Sequence, residues 1–241
     1  MSGHSKWATI KRKKGLIDAE RSKVFQKLTK EIYVAAKGGD KNPDNNPSLR
    51  MIIDKAKAEN MPKDRIQAAI DKAHNASDST NYEAVRYEGY GPNGVAVMVD
   101  CLTDNRNRTA SMVRAAFTKR GGNLGTDGSV SYMFEKKGVI VLPKTYNEDD
   151  VMMIALDNDA LDFLVDDDSY VIYTTIENFI NMNKALEDSG IEDKIMNEVR
   201  FIPNMTVSLD EAHKEKIYNL VDALEDIEDV QDVYTNLNEE E

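Results

Sequence analysis

The chain has 241 residues, a formal net charge of −12 and 41% hydrophobic residues. This length and composition indicate a folded protein of one to three domains and exclude a disordered chain. The single cysteine, Cys101, excludes an internal disulfide framework and predicts a reducing compartment. No apolar run is long enough to span a bilayer, and no apolar stretch follows the basic N-terminus as in a secretory signal. We therefore expect a soluble cytoplasmic protein without a membrane partner.

The charge is unevenly distributed along the chain. Residues 1–75 carry 17 basic and 9 acidic side chains, whereas residues 136–241 carry 8 and 27. The intervening residues 76–135 are nearly balanced, with 6 and 7. This asymmetry predicts a basic binding module joined to an acidic remainder, with unevenly solvated faces as the alternative.

The first part of the chain has helical periodicity. Apolar residues recur at helical spacing over residues 18–37, which predicts a helix that ends at Gly38. Pro47 and Pro62 each predict the first turn of a further helix. Residues 75–81 are rich in Ser, Asn and Asp, and form the predicted linker to the next part.

From Tyr82 onwards the patterns alternate between strands and helices. Two alternating runs around a Gly-Pro-Asn-Gly turn predict a β-hairpin over residues 85–101. A helix that residues 103–105 can cap follows and runs to about Arg120, then a glycine-rich turn over residues 121–128 and a strand over residues 130–135.

The next segment has the βαββαβ order of a ferredoxin-like fold. Its predicted elements are strand 139–142, helix 148–156, hairpin strands 161–165 and 170–174, helix 176–189 and strand 199–202. A final helix with a capping-box start at Ser208 and a strand over residues 230–237 have no partner of their own. We expect them to complete the sheet that begins at Val85.

These patterns predict an α+β fold class with three parts. The N-terminal part is a basic helical bundle, residues 1–78. An α+β middle domain, residues 79–135 with 205–241, is interrupted by an inserted acidic ferredoxin-like domain, residues 136–204.

The sequence carries no recognisable catalytic constellation. His4, His74 and His213 are far apart, and neither an HExxH nor a CxxC motif is present. Cys101 has no nearby histidine, and the glycine-rich segment lacks the Lys-Ser/Thr of a phosphate-binding loop. We therefore expect no enzyme activity, no metal site, no cofactor and no small-molecule substrate.

The basic residues near the N-terminus are the candidates for binding nucleic acid, because flexible cations bind phosphates without reading sequence. The candidates are Lys6, Trp7, Lys11, Arg12, Lys13, Lys14, Arg21, Lys23, Lys27 and Lys30. Trp7 either stacks on a base or anchors a core. A possible second surface comprises Asn105, Arg106 and Arg108, with helix capping as the alternative.

Specific motifs occur between residues 3 and 138. They include Gly3-His4-Ser5-Lys6-Trp7, Asn46-Pro47-Ser48-Leu49-Arg50, Gly89-Tyr90-Gly91-Pro92-Asn93-Gly94 and Leu102-Thr103-Asp104-Asn105-Arg106-Asn107-Arg108-Thr109. Through these motifs the chain resembles the YebC family (YebC/PmpR type), bacterial proteins with an organellar translation-activator relative. The resemblance implies the same three-part arrangement, no catalytic residues, and a role in either transcription or ribosome-associated translation.

We therefore predict a cytoplasmic nucleic-acid-binding regulator that controls transcription by binding DNA through its basic N-terminal domain. The alternative is a translation factor that binds ribosomal RNA on the ribosome with the same domain. A protein-interaction scaffold that uses the acidic domain would leave the N-terminal cations unexplained.

Overall fold

The computed structural model describes residues 19–75 and 77–238. The chain forms two compact units, each with its own hydrophobic core. Among the described residues, the first unit combines residues 19–132 with Val207–Leu237, and the second consists of Met133–Thr206 with Asn238.

Within the described residues, helices and antiparallel sheets alternate. The helices are α1 (Ala19–Lys37), α2 (Pro47–Ala58), α3 (Lys63–Ala73), α4 (Arg106–Lys119), α5 (Glu148–Asp157), α6 (Phe179–Asp188) and α7 (Glu211–Glu225). The strands are β1 (Glu83–Tyr90), β2 (Ala96–Thr103), β3 (Asn123–Leu124), β4 (Phe134–Pro143), β5 (Asp162–Val165), β6 (Ser169–Thr174), β7 (Met196–Pro203), β8 (Val207–Ser208), β9 (Val230–Thr235) and β10 (Leu237–Asn238). This content confirms the predicted α+β class. None of the described helices is long and apolar enough to cross a membrane.

Helices α1, α2 and α3 form the predicted helical bundle around an apolar core. Ile32 of α1 and Leu49 of α2 are fully buried in that core. Pro47 opens α2 as predicted, because its missing N–H has no intrahelical partner at that position. Pro62, in contrast, is the residue that precedes α3, so the predicted start of that helix is one residue too early.

The first unit also contains an antiparallel sheet with the strand order β3-β1-β2-β9. Strands β1 and β2 form the predicted hairpin, and β9 pairs with β2 as expected for the strand that completes the sheet. Helices α4 and α7 contribute Phe117 and Leu220 to the core that Val97 and Val99 of β2 also line. The glycine-rich segment, interpreted from sequence as a turn, additionally contains the short strand β3, which pairs with β1.

The second unit has the βαββαβ order predicted for a ferredoxin-like fold. Its antiparallel sheet has the order β5-β6-β4-β7, and α5 and α6 share a core with it around Ile140 and Met182. The prediction of two strands, 130–135 and 139–142, is wrong. Residues 131–133 form a short 3-10 turn, and β4 then continues without interruption to Pro143.

Gly138 lies inside β4, at a position that has no room for a side chain. A β-carbon at this position would collide with the side chains of Thr174 and Phe179. Glycine is therefore required by the close packing of β4 against its neighbours and does not mark a break between two strands.

The predicted start of the last helix also differs from the structure. Helix α7 begins at Glu211, and the Asp210 carboxylate accepts a hydrogen bond from the backbone N–H of His213 at 2.9 Å. Asp210, rather than Ser208 in β8, is therefore the capping residue. The helical bundle and the first sheet belong to one compact unit, so the structure does not divide them at residue 78. The three predicted domain boundaries therefore stay a prediction.

Candidate nucleic-acid interface

Part of the predicted basic cluster lies outside the described residues. This applies to Lys6, Trp7, Lys11, Arg12, Lys13 and Lys14. The backbone of Arg21 lies in α1, and its side chain is outside the described part of the chain. The contacts of these residues with nucleic acid stay a prediction.

Three of the candidate lysines, Lys23, Lys27 and Lys30, form a lysine stripe on α1 that contacts an acidic turn and strand β9 of the same unit. This acidic turn comprises residues 226–229, between α7 and β9. Lys23 forms an ion pair with Asp226, and the Nζ of Lys27 donates a hydrogen bond to the backbone oxygen of Gln231 at 3.2 Å. These contacts attach the helical bundle to the C-terminal part of the unit.

Lys30 is the most buried lysine of this stripe, with 7% of its surface exposed. Its Nζ lies 3.0 Å from Oδ1 of Asp229 and donates a hydrogen bond to the backbone oxygen of Glu228 at 3.1 Å. The same ammonium group lies 5.6 Å from the ring centroid of Tyr82. A buried ammonium group needs such partners, so Lys30 is committed to contacts within the unit.

Asp229 also binds helix α4. The Nη2 of Arg108 lies 2.7 Å from its Oδ2, and Thr109 donates its hydroxyl hydrogen to the same oxygen at 2.8 Å. The side chain of Asp229 is only 4% exposed. Burial alone would raise the pKa of this carboxyl, but the hydrogen bonds from Arg108, Lys30 and Thr109 outweigh burial and lower the pKa below its ordinary value of 3.8. The charged carboxylate therefore joins α1, α4 and the acidic turn.

The residues of the possible second surface have different environments. The side-chain oxygen of Asn105 accepts a hydrogen bond from the backbone N–H of Arg108 at 3.1 Å, so Asn105 caps α4. The guanidinium of Arg108 lies 2.8 Å from Asp104 in addition to its contact with Asp229. Arg106 is exposed, and no described carboxylate lies within ion-pair distance of it. The capping alternative thus describes Asn105, and binding of nucleic acid by the three residues stays a prediction.

Sequence reasoning missed three other cations in α4 and at its C-terminal end. Arg114, Lys119 and Arg120 are exposed, and none of them forms an ion pair within the described part of the chain. A sequence signal for them exists, since residues 105–126 contain five basic and no acidic side chains. In a chain of net charge −12, such a run marks α4 as a basic surface.

A buried glutamate organises the glycine-rich loop, which we define as residues 121–131. Oε1 of Glu88 accepts a hydrogen bond from the backbone N–H of Gly128 at 3.0 Å, and Oε2 accepts from Val130 and Ser131 at 2.8 Å each. Burial would raise the pKa of Glu88, but these three N–H donors lower it below its ordinary value of 4.5. Sequence analysis assigns no role to Glu88, because its partners lie about 40 residues further along the chain.

Cys101 lies in the core of the first unit and is 2% exposed. Burial, with the charges of Asp100 and Asp229, raises the pKa of its thiol to about 12. Within the described residues, no group of three or more His, Cys, Asp or Glu side chains could hold a metal ion. The environment of Cys101 is thus that of an inert core cysteine.

The thiol of Cys101 is expected to be unreactive in the native protein. With a pKa of about 12, only roughly one thiol in 10,000 is ionised at pH 8, and only the thiolate attacks a disulfide reagent. Ellman's reagent should therefore release no thionitrobenzoate from native protein and one equivalent after unfolding in guanidinium chloride. Equal rates in the two states would contradict the buried position.

The chain matches known protein-family models and a solved structure. Residues 5–76 match the family model described as the TACO1/YebC protein N-terminal domain, and residues 82–237 match the model of the TACO1/YebC second and third domain. A solved structure, a conserved hypothetical protein from Aquifex aeolicus, is 43% identical, covers 91% of each chain and has a TM-score of 0.82.

Curated relatives align over almost the whole chain. A probable transcriptional regulatory protein of Geobacillus kaustophilus is 50% identical over 99% of this chain and 98% of its own length. A protein with the same description from Lactobacillus acidophilus is 50% identical over the full length of both chains. One from Clostridium botulinum is 52% identical over 98% of this chain and 96% of its own. On these matches, the chain belongs to the TACO1/YebC family.

Proposed function

We propose that this protein is a cytoplasmic nucleic-acid-binding regulator that controls transcription by binding DNA through its basic N-terminal part. The observation that carries the proposal is the excess of 17 basic over 9 acidic side chains in residues 1–75 of a chain whose net charge is −12. Contacts to phosphates supply most of the affinity of such proteins for nucleic acid. The relatives' names, which describe probable transcriptional regulatory proteins and not enzymes, support a regulatory role without catalysis.

The proposed contacts differ among the basic residues. The N-terminal cations Lys6, Lys11, Arg12, Lys13, Lys14 and Arg21 form the proposed phosphate-binding set. Lys23 and Lys27 join that set only if phosphates replace their contacts with the C-terminal part of the unit. Lys30 is left out, because its ammonium group is buried against Asp229.

The proposal predicts a strong dependence of DNA affinity on salt. If about five phosphates are neutralised, the log–log slope is about −4.5, and affinity falls roughly 500-fold between 50 and 200 mM salt. Reversing three charges, in the variant K11E/K13E/K14E, should reduce the slope by about 2.7. Fluorescence anisotropy with a labelled promoter fragment measures both values. The variant K136E/K144E/K184E, which changes the net charge equally in the acidic second unit, is the matched control.

Specific retention distinguishes a transcriptional regulator from a general phosphate binder. At 150 mM salt the wild-type protein should retain a promoter fragment better than random DNA of equal length. Equal retention would contradict the transcriptional role, because phosphate contacts alone carry no sequence information.

Ribosomes test the alternative role in translation. If the basic residues bind ribosomal RNA, the protein should co-sediment with ribosomes, and K11E/K13E/K14E should remain in the supernatant. Co-sedimentation without preference for promoter DNA would favour the translation factor. Wild-type behaviour of this variant in both assays would exclude the N-terminal cations from either role.

A further inference from the structure

The exposed face of α4 is a basic surface on a rigid support. Val113 and Phe117 are fully buried and fasten the opposite face of the helix to the core of the first unit. Asn105 caps the first turn, and Arg108 is held by Asp229. A helix fixed by packing, capping and an ion pair holds the backbone positions from which its exposed side chains extend in a constant arrangement.

Small side chains lie between the cations of this face. A depression of about 690 Å³ is lined by Asn107, Ala110, Ser111, Ala115 and Thr118, together with Arg114 and Lys119. Residues at spacings of three and four share one face of a helix, so this depression follows α4 for about 18 Å. Short side chains let an extended polymer approach the helix closely.

The hydroxyl groups in the depression are already used. The Oγ of Ser111 donates to the backbone oxygen of Asn107 at 2.9 Å, and the Oγ1 of Thr118 donates to that of Arg114 at the same distance. Ser111 and Thr118 therefore contribute to the depression by being small, and not by donating hydrogen bonds to a ligand. The strong donors that remain are the guanidinium of Arg114 and the ammonium of Lys119, both suited to an anionic partner.

The cations of α4 and those of α1 differ in whether they already form contacts within the first unit. The α1 lysines contact residues of the C-terminal part of the unit, whereas Arg114 and Lys119 form no ion pair within the described residues. The absence of any acidic residue between positions 105 and 126 removes the repulsion that an anionic polymer would meet elsewhere on this acidic chain.

We propose that the exposed face of α4 binds the phosphodiester backbone of nucleic acid, with Arg114 and Lys119 neutralising phosphates across the depression between them. The proposal rests on the proposed function and adds a second contact surface outside the helical bundle. Contacts to phosphates carry no sequence information, so this surface would add affinity without sequence preference. DNA and RNA offer the same backbone chemistry, and the experiment includes both.

The test is the full-length variant R114E/K119E, because both side chains are exposed and the substitutions leave the core intact. Loss of two phosphate contacts should weaken binding about 30-fold at 150 mM salt and reduce the log–log salt slope by about 1.8 on duplex DNA. Anisotropy titrations with a duplex DNA and a duplex RNA of equal length measure both quantities. The conservative variant R114K/K119R should keep the wild-type slope.

The matched control is K136E/K184E, which makes the same charge change in the second unit at two exposed lysines. This variant should bind as the wild type does. An unchanged slope for R114E/K119E, or equal weakening by both double variants, would overturn the proposal. Weakening on only one nucleic acid supports it and identifies the source of the backbone. Failure of the wild-type protein to bind either duplex would instead contradict the proposed function itself.

Discussion

Replacing Asp229 with alanine is expected to lower the free energy of unfolding by about 3 kcal/mol, because it removes the buried partner of the Lys30 ammonium and leaves that charge poorly compensated. The Asp229 carboxylate lies 3.0 Å from Lys30 Nζ and 2.7 Å from Arg108 Nη2, and Thr109 donates to it at 2.8 Å. Its loss would leave the ammonium of Lys30 with the backbone oxygen of Glu228 at 3.1 Å and the exposed carboxylate of the same residue at 3.5 Å. Urea unfolding followed by circular dichroism measures the change.

Asp226 provides a control in the same acidic turn. Its side chain is 67% exposed, and it pairs with Lys23, which is half exposed as well. Exposed ion pairs contribute little, so Asp226→Ala should change the free energy of unfolding by less than about 1 kcal/mol. Equal effects of the two substitutions would show that burial of Asp229 is not what makes its contacts strong.

The contribution of Asp229 should also depend on pH. Its pKa in the folded protein is below the ordinary value of 3.8, so the stabilisation is fully present above that value. It is lost as the pH falls through the folded-state pKa, because the carboxyl must then be protonated. The difference in stability between the wild type and Asp229→Ala should therefore shrink as the pH falls below about 4.

Asp229 also shows what sequence reasoning could not provide. Helical spacing alone places Lys23, Lys27 and Lys30 on one side of α1, and this inference needs only residues that are close together in the chain. Their partners follow about 200 residues later, in the acidic turn and at the start of β9. Nothing in a single sequence states that these two segments meet, so the stripe resembled an open phosphate-binding surface. Its role within the unit became visible only in three dimensions.

Local sequence signals predicted most of the fold, because helix starts and hairpins depend on residues that are close together in the chain. Pro47 marks a helix start through its missing backbone N–H, and Asn105 marks one through its side-chain oxygen. Alternating apolar residues marked the hairpin of β1 and β2. The errors arise where a local signal has a non-local cause. Two strands were predicted on either side of residues 136–138, yet Gly138 lies inside β4, where Thr174 and Phe179 occupy the space of a side chain.

The second large effect is expected for Glu88→Ala, which removes the acceptor of three backbone N–H groups. A buried donor without a partner costs about 1–3 kcal/mol, and some of these donors can reach water, so we expect a total loss of about 3 kcal/mol. Glu88→Gln retains one acceptor oxygen and should lose about half as much. Since the pKa of Glu88 is lowered below 4.5 in the folded protein, its stabilisation is present above that value and lost as the pH falls through the folded-state pKa.

Hydrogen exchange shows whether the loss is local to the glycine-rich loop. In Glu88→Ala, the amides of Gly128, Val130 and Ser131 should exchange faster, because each loses its bond to the carboxylate. The amide of Gly125 is an internal reference, since it donates to the backbone oxygen of Glu88 at 2.8 Å and keeps that acceptor in the variant.

Glu83 is the matched control for this substitution, because it is an exposed glutamate at the start of the same strand. Glu83→Ala should change the free energy of unfolding by no more than about 0.5 kcal/mol. If Glu88→Ala behaved like Glu83→Ala and the three loop amides kept their protection, the loop would be held by close packing alone. Gly89 and Gly122 supply such packing, because a β-carbon on either would collide with backbone oxygens or with Phe117. Faster exchange at the three amides with an unchanged Gly125 would instead identify the Glu88 carboxylate as the group that orders the loop beside α4.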